Sequence, residues 1–229
     1  MNWLKIVILI IVTLSINLNL ISGVYAQEQK DSNTKNNDNI QNQGTVPKPI
    51  VHVTIEGTDN NDKVKGGEGN DNLNGGNGDD TLNGAQGDDE IIGDEGNDKL
   101  NGQQGDDEVN GAEGNDHIKG EAGDDQITGE DGNDRLEAGK GNDEAEGGQG
   151  NDNIKGGEGN DELDGGQGND ELDGGEGKDN MEGGEGADTF ICDLADTITY
   201  LNSAEDDEKI GACRVIDESS PTENFSLLY

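Results

Sequence analysis

From residue 57 to residue 191 the chain repeats a nine-residue unit fifteen times, without one insertion or deletion. A fixed period of this length means that one small structural unit stacks on copies of itself, so the period decides the architecture before any single residue does. The unit reads Gly, variable, variable, Gly, Asn or Asp, Asp, polar, aliphatic, polar. Position six is Asp in every copy: Asp62, Asp71, Asp80, Asp89, Asp98, Asp107, Asp116, Asp125, Asp134, Asp143, Asp152, Asp161, Asp170, Asp179 and Asp188. The second and third positions drift while this carboxylate does not, which marks it as a chemical requirement.

Position eight is apolar throughout, from Val64 and Leu73 to Met181 and Phe190, between mostly polar neighbours at positions seven and nine. Alternation of this kind places position eight on one face of a strand and its neighbours on the other. Glycine at positions one and four suggests a turn with positive φ or a close backbone approach, and Asn at position five tolerates left-handed geometry. Each unit therefore reads as a six-residue turn followed by a three-residue strand. Two units make one coil of 18 residues with position eight inward on both sides. Coils stacked as parallel strands at about 4.8 Å would give a rod of roughly 36 Å, held together by neighbour contacts. The fold class is all-β, a parallel solenoid.

Such a chain lacks the material for an ordinary core, with 27% hydrophobic and 3% aromatic residues. That composition suits either disorder or a fold stabilised from outside. Charge chooses between them. The chain carries 53 Asp and Glu against 14 Lys and Arg, a formal charge of −39, so a compact state would repel itself. Nucleic acid and anionic membrane surfaces need cationic patches and are poor partners for so acidic a chain. Divalent cations would neutralise the charge that opposes folding.

The copies at residues 66–74, 75–83, 147–155, 156–164 and 165–173 read Gly-Gly-x-Gly-x-Asp-x-aliphatic-x without departure. They resemble the RTX, or hemolysin-type, calcium-binding nonapeptide repeat. The resemblance implies a right-handed parallel β-roll, with calcium bound between turns two repeats apart. It assigns ligand roles to the fifteen position-six aspartates together with loop carbonyls, and allows at most thirteen inter-repeat sites. Calcium accepts six to eight such oxygens, and an affinity on the order of 0.1 to 1 mM suits an extracellular module. Carboxylates stacked about 4.8 Å apart repel without an ion, so the metal-free fold is expected to be unstable. Several copies depart from the pattern. Asp94, Gln103, Ala112, Glu121 and Glu130 occupy position two, where the family prefers Gly. Ala138 at position one and Ala145 in the core mark a weak joint, Asn60 replaces the first position-four Gly, and Lys178 and Ala187 hold position five in the last copies.

Outside the repeats, residues 1–26 read as a secretory signal: Lys5, an apolar stretch from Ile6 to Leu20, and Val24 and Ala26 preceding cleavage. After cleavage no stable membrane insertion is expected. Residues 27–50 read as a polar disordered linker, and residues 51–191 as a leading strand plus the repeats. Residues 192–216 gather apolar residues as a C-terminal cap, and residues 217–229 as a flexible tail. The cap also resembles the closing segment after RTX arrays, although Tyr200 and Leu201 depart from it. Cys192 and Cys213 are the only cysteines. In an exported chain they suit a disulfide, with a two-thiolate metal site as the weaker alternative. His52 and His117 read as surface residues. No catalytic constellation stands out, and the expectation is a secreted, extracellular, non-enzymatic calcium-binding protein. The alternative is a calcium-rigidified adhesion, matrix or cell-surface module whose partner the sequence does not name.

Overall fold

The computed structural model describes residues 52–200 and 207–216, all within the second of two compact units, Pro47–Tyr229. The signal segment, its cleavage site, the linker and the tail lie outside the described residues. Among the described residues every regular element is a strand. In chain order these are β1 (Thr54–Thr58), β2 (Lys63–Glu68), β3 (Asn72–Asn77), β4 (Thr81–Gln86), β5 (Glu90–Glu95), β6 (Lys99–Gln104) and β7 (Glu108–Glu113). Then follow β8 (His117–Ala122), β9 (Gln126–Asp131), β10 (Arg135–Lys140), β11 (Glu144–Gln149), β12 (Asn153–Gly159) and β13 (Glu162–Gln167). The last six are β14 (Glu171–Gly177), β15 (Asn180–Glu182), β16 (Thr189–Cys192), β17 (Thr197–Tyr200), β18 (Glu208–Gly211) and β19 (Arg214–Val215). Odd-numbered strands form one parallel sheet and even-numbered strands a second. Within the repeats each strand pairs with the strand one coil away, 18 residues on, as Leu73 pairs with Ile91 and Ile91 with Val109.

The strands are longer than the repeat pattern suggests. A typical strand runs from position seven through position three of the next unit, six residues in all, so only positions four to six turn. The cause lies in the inward face. Burial alternates along each strand, and positions eight and one both point inward, as Leu73 and Gly75 do. The ladder continues past the aliphatic residue because the glycine after next keeps the strand's period. The core is one column of position-eight side chains per sheet, from Leu73 to Phe190, each no more than 1% exposed. Ile198 extends it, while Ile55 and Val64 at the leading end are partly buried. Ala138 and Ala145 are fully buried in the same cluster.

Three glycine positions serve three purposes. At position four φ is positive, 154° at Gly96 and 141° at Gly114, and a Cβ on Gly114 would overlap the Gly96 carbonyl one coil below. At position one φ is ordinary, but a Cβ on Gly93 would strike the Asp98 carboxylate and the Gly111 carbonyl. From Gly67 onward position two has positive φ whether or not it is glycine. Ala85, Asp94, Gln103, Ala112, Glu121 and Glu130, in six successive units, sit at φ between 74° and 94°. L-residues there carry strain of about 1 kcal/mol each. Polar staples offset part of it: Asn74 donates to Asp94, Asn101 to Glu121 and Asn110 to Glu130. Position five, by contrast, has no positive φ, so its Asn and Asp residues are not there for left-handed geometry.

After Ile191 the strict period ends but the solenoid continues. β17 pairs with β15 across a register shift at Met181/Glu182, β18 pairs with β16, and β19 with β17. Cys192 and Cys213 are joined in a disulfide with Cα atoms 5.6 Å apart, clamping the end of β16 to the turn before β19.

The two outer faces differ in charge. At positions seven and nine, β3 to β15 of the odd sheet carry no Lys, Arg or His, but include Glu90, Glu108, Glu144, Glu146, Glu162, Asp164 and Glu182. The even sheet carries Lys63, Lys65, Lys99, His117, Lys119, Arg135 and Lys155 at the same positions. Lys119 and Arg135 both pair with Glu137, at 2.6 and 2.7 Å, and hold its carboxyl down at about 2.

Two substitutions two residues apart test the glycine logic. Ala112→Gly is expected to stabilise the folded chain by about 1 kcal/mol, read as a higher denaturation midpoint at unchanged slope in millimolar calcium. Gly114→Ala is expected to abolish cooperative folding in the same assay.

Candidate metal-binding turns

Each turn is built around its position-six aspartate. The side chain folds inward over position one, where a Cβ on the glycine of the other copies would crowd it; Ala138 is the one larger residue accommodated there. One oxygen, Oδ1, accepts the backbone N–H of the position-six residue one coil earlier. Asp71 N–H donates to Asp89 Oδ1 at 2.7 Å, Asp89 N–H to Asp107 at 2.8 Å and Asp107 N–H to Asp125 at 2.9 Å. The interleaved column runs from Asp62 through Asp80, Asp98, Asp116, Asp134, Asp152 and Asp170 to Asp188 with the same bond. Both columns are buried, with Asp71 to Asp188 at most 3% exposed.

The other oxygen is left over. From Asp71 to Asp179, thirteen of these residues bury Oδ2 without a hydrogen-bond partner. A buried carboxylate oxygen in that state is costly unless a proton or a cation meets it. The carboxyl groups respond accordingly. Burial pushes Asp107, Asp134 and Asp170 up to about 7, and Asp98, Asp125, Asp143, Asp161 and Asp179 up to about 6. The accepted N–H pulls the other way, and neighbouring carboxylates add to the rise.

A second ladder runs beside the first in the opposite sense. The backbone N–H of each position-five residue donates to the position-five side chain one coil earlier: Asn97 to Asp79, Asn115 to Asn97, Asn133 to Asn115, Asn151 to Asn133. This acceptor role is the reason for Asn or Asp at position five. The sister column passes through Asn70, Asp88, Asp106, Asp124, Asn142 and Asn160. His52 starts it, its Nδ1 accepting the Asn70 N–H at 2.9 Å. His117 sits outward on β8, 3.4 Å from Glu137.

The turns suit an oxygen-seeking cation. Among the described residues no three carboxylates or imidazoles converge on one point, so an ion here needs backbone carbonyls beside the aspartate. Position-four glycines such as Gly96, Gly114 and Gly132 donate their N–H to position-three carbonyls one coil on, while their own carbonyls accept no backbone hydrogen bond from another turn. Aspartate oxygens with free carbonyls form a hard donor set of the calcium kind, and Oδ2 is the oxygen each aspartate has to offer. When bound, the ion supplies the positive charge that the buried carboxylates lack.

The fifteen aspartates are not equivalent. Asp62 is only partly buried, and its Oδ2 accepts from the N–H and Oγ1 of Thr58. Two residues beyond the repeats join the columns instead. Asp179 N–H donates to Asp196 Oδ1, and Asp188 N–H to Asp207 Oδ1. They stand 17 and 19 residues on rather than 18, so the slip hid them from a search at fixed period.

The raised carboxyl pKa values set a pH dependence for the metal-free chain. The eight groups from Asp98 to Asp179 named above titrate near 6 to 7 when folded against an ordinary 3.8. Their stabilising contribution is therefore full below about 3.8 and lost as pH rises through 6 to 7. Acidifying metal-stripped protein from pH 8 to pH 5 should raise its β-signal in circular dichroism; a fall over that interval would contradict the assignment.

Comparison with known proteins places these turns. The family model of the RTX calcium-binding nonapeptide repeat matches in six overlapping segments, at residues 56–91, 83–118, 110–145, 137–172, 146–181 and 155–190. No curated protein matches the chain. The matched segments cover more than half of the 229 residues and coincide with the two aspartate columns, so the chain belongs to the RTX calcium-binding repeat family.

Proposed function

We propose that this is an exported, non-enzymatic protein whose solenoid folds when calcium ions enter the turns between coils. The observation that carries the reading is the row of thirteen buried, unpartnered Oδ2 atoms from Asp71 to Asp179. A column of buried anions one coil apart is self-consistent only with counter-charge inside it. Calcium outside the cell supplies that charge, and the leader-like residues 1–26 would deliver the chain there. The position-six aspartates act as the charged ligands, and turn carbonyls complete the shell. Thirteen is the ceiling on inter-repeat sites. The absence of a nucleophile–base pair in the sequence, and the supply of polar groups almost wholly as ladders, favour binding over catalysis.

Circular dichroism of the metal-stripped chain at neutral pH, titrated with calcium, tests this directly. A cooperative gain of β-structure at millimolar calcium is expected, and equal β-content in chelator and in calcium would sink the reading. Asp116→Asn sharpens the test, because the amide keeps an oxygen for the Asp98 N–H but loses the charge. It should raise the calcium midpoint roughly tenfold, the scale of about 1.4 kcal/mol for one charge-assisted contact. Asp59→Asn, outside both columns, should leave the midpoint unchanged.

A further inference from the structure

The two faces of the solenoid treat their charges differently. On the odd sheet, carboxylates stand next to carboxylates: Glu144 is in register with Glu162, and Glu146 with Asp164. No cation stands between them at these positions. Like charges directly opposite one another in a sheet are destabilising. On the even sheet the in-register neighbours are of opposite sign, Lys119 with Glu137 and Lys155 with Asp173. The leading end of that sheet has basic residues to spare. Lys63 and Lys65 on β2 and Lys99 on β6 are exposed, make no ion pair with a described residue, and have Thr81, Asn83, Asn101 and His117, but no carboxylate, as neighbours at positions seven and nine.

We propose that these faces meet between molecules: the Glu144, Glu146 and Glu162 face of the odd sheet docks the Lys63, Lys65 and Lys99 face of a second copy of this chain. Charge complementarity names the partner, and pitch strengthens the choice. Both faces are ruled by the same coil spacing, about 4.8 Å, so a match made at one coil stays in step at the next. A partner without stacked strands lacks that spacing. The contact is heterologous, since it joins unlike faces, and it leaves one acidic and one basic face free for further copies. It is also small. Three strands of six residues, β2, β4 and β6, offer roughly 300 Å² per partner, near 600 Å² in total, below the size of a stable interface. Association is therefore weak, concentration-dependent and salt-sensitive. It rests on the calcium reading in one respect, because bound calcium lowers the net charge that otherwise keeps copies apart.

Sedimentation velocity on the full chain in millimolar calcium, from micromolar to near-millimolar protein, tests the proposal. The weight-average sedimentation coefficient should rise with concentration at low salt and return to the monomer value at high salt. The triple variant Lys63→Glu, Lys65→Glu, Lys99→Glu should stay monomeric, as should Glu144→Lys, Glu146→Lys, Glu162→Lys, whereas a mixture of the two should associate. Circular dichroism of each sample in calcium separates the possible failures. A chain that stays unfolded in calcium overturns both the functional reading and this one. A folded chain that is monomeric at every concentration, or a lysine variant that associates as the unsubstituted chain does, overturns the docking alone.

Discussion

At every coil the position-six carboxylate accepts the backbone N–H of the position-six residue one coil earlier, as Asp107 does for Asp89. Most of the structure follows from that bond. It fixes the vertical spacing of the turns, and it draws the carboxylate inward so that position one must be glycine almost everywhere. It also commits one oxygen and strands the other. The result is a line of anions in a low-dielectric interior, where desolvation lifts their pKa values towards neutrality. A chain with so little apolar material cannot absorb that cost by burying more surface. Counter-charge inside the turns is part of the fold, and calcium binding and folding become one process.

The second ladder gives this scaffold its direction. Position-six side chains reach for the coil before, and position-five side chains for the coil after. Each turn is thereby tied to both neighbours by side-chain oxygens as well as by backbone bonds. Coils that touch only their neighbours add stability locally, so a defect is paid for where it occurs. The six successive left-handed residues from Ala85 to Glu130 make that stretch the most strained part of the array, and the Asn staples at position nine are its local remedy.

Much of this was legible in the residues. The period of nine, the inward position eight and the invariant Asp identified a parallel solenoid with acidic turns. Three features were not legible. Strand length was underestimated because glycine at position one reads as a turn signal, whereas burial under the Asp side chain keeps it in the ladder. Position five was read for backbone tolerance, whereas its side chain is an acceptor for the coil above. Asp196 and Asp207 were passed over because a one-residue slip in each direction breaks the period while the backbone absorbs it at a register shift.

The sequence by itself determined which atoms had to be inside. A strict period with one aliphatic residue and one carboxylate per unit leaves no other way to bury the first without burying the second. Tertiary structure alone decided how the carboxylate is used and what each face presents. Those properties depend on residues 18 apart, which become neighbours only once two units close a coil. The same closure sorts alternate repeats onto opposite sheets, and so turns a scatter of lysines and glutamates along the chain into one basic and one acidic face.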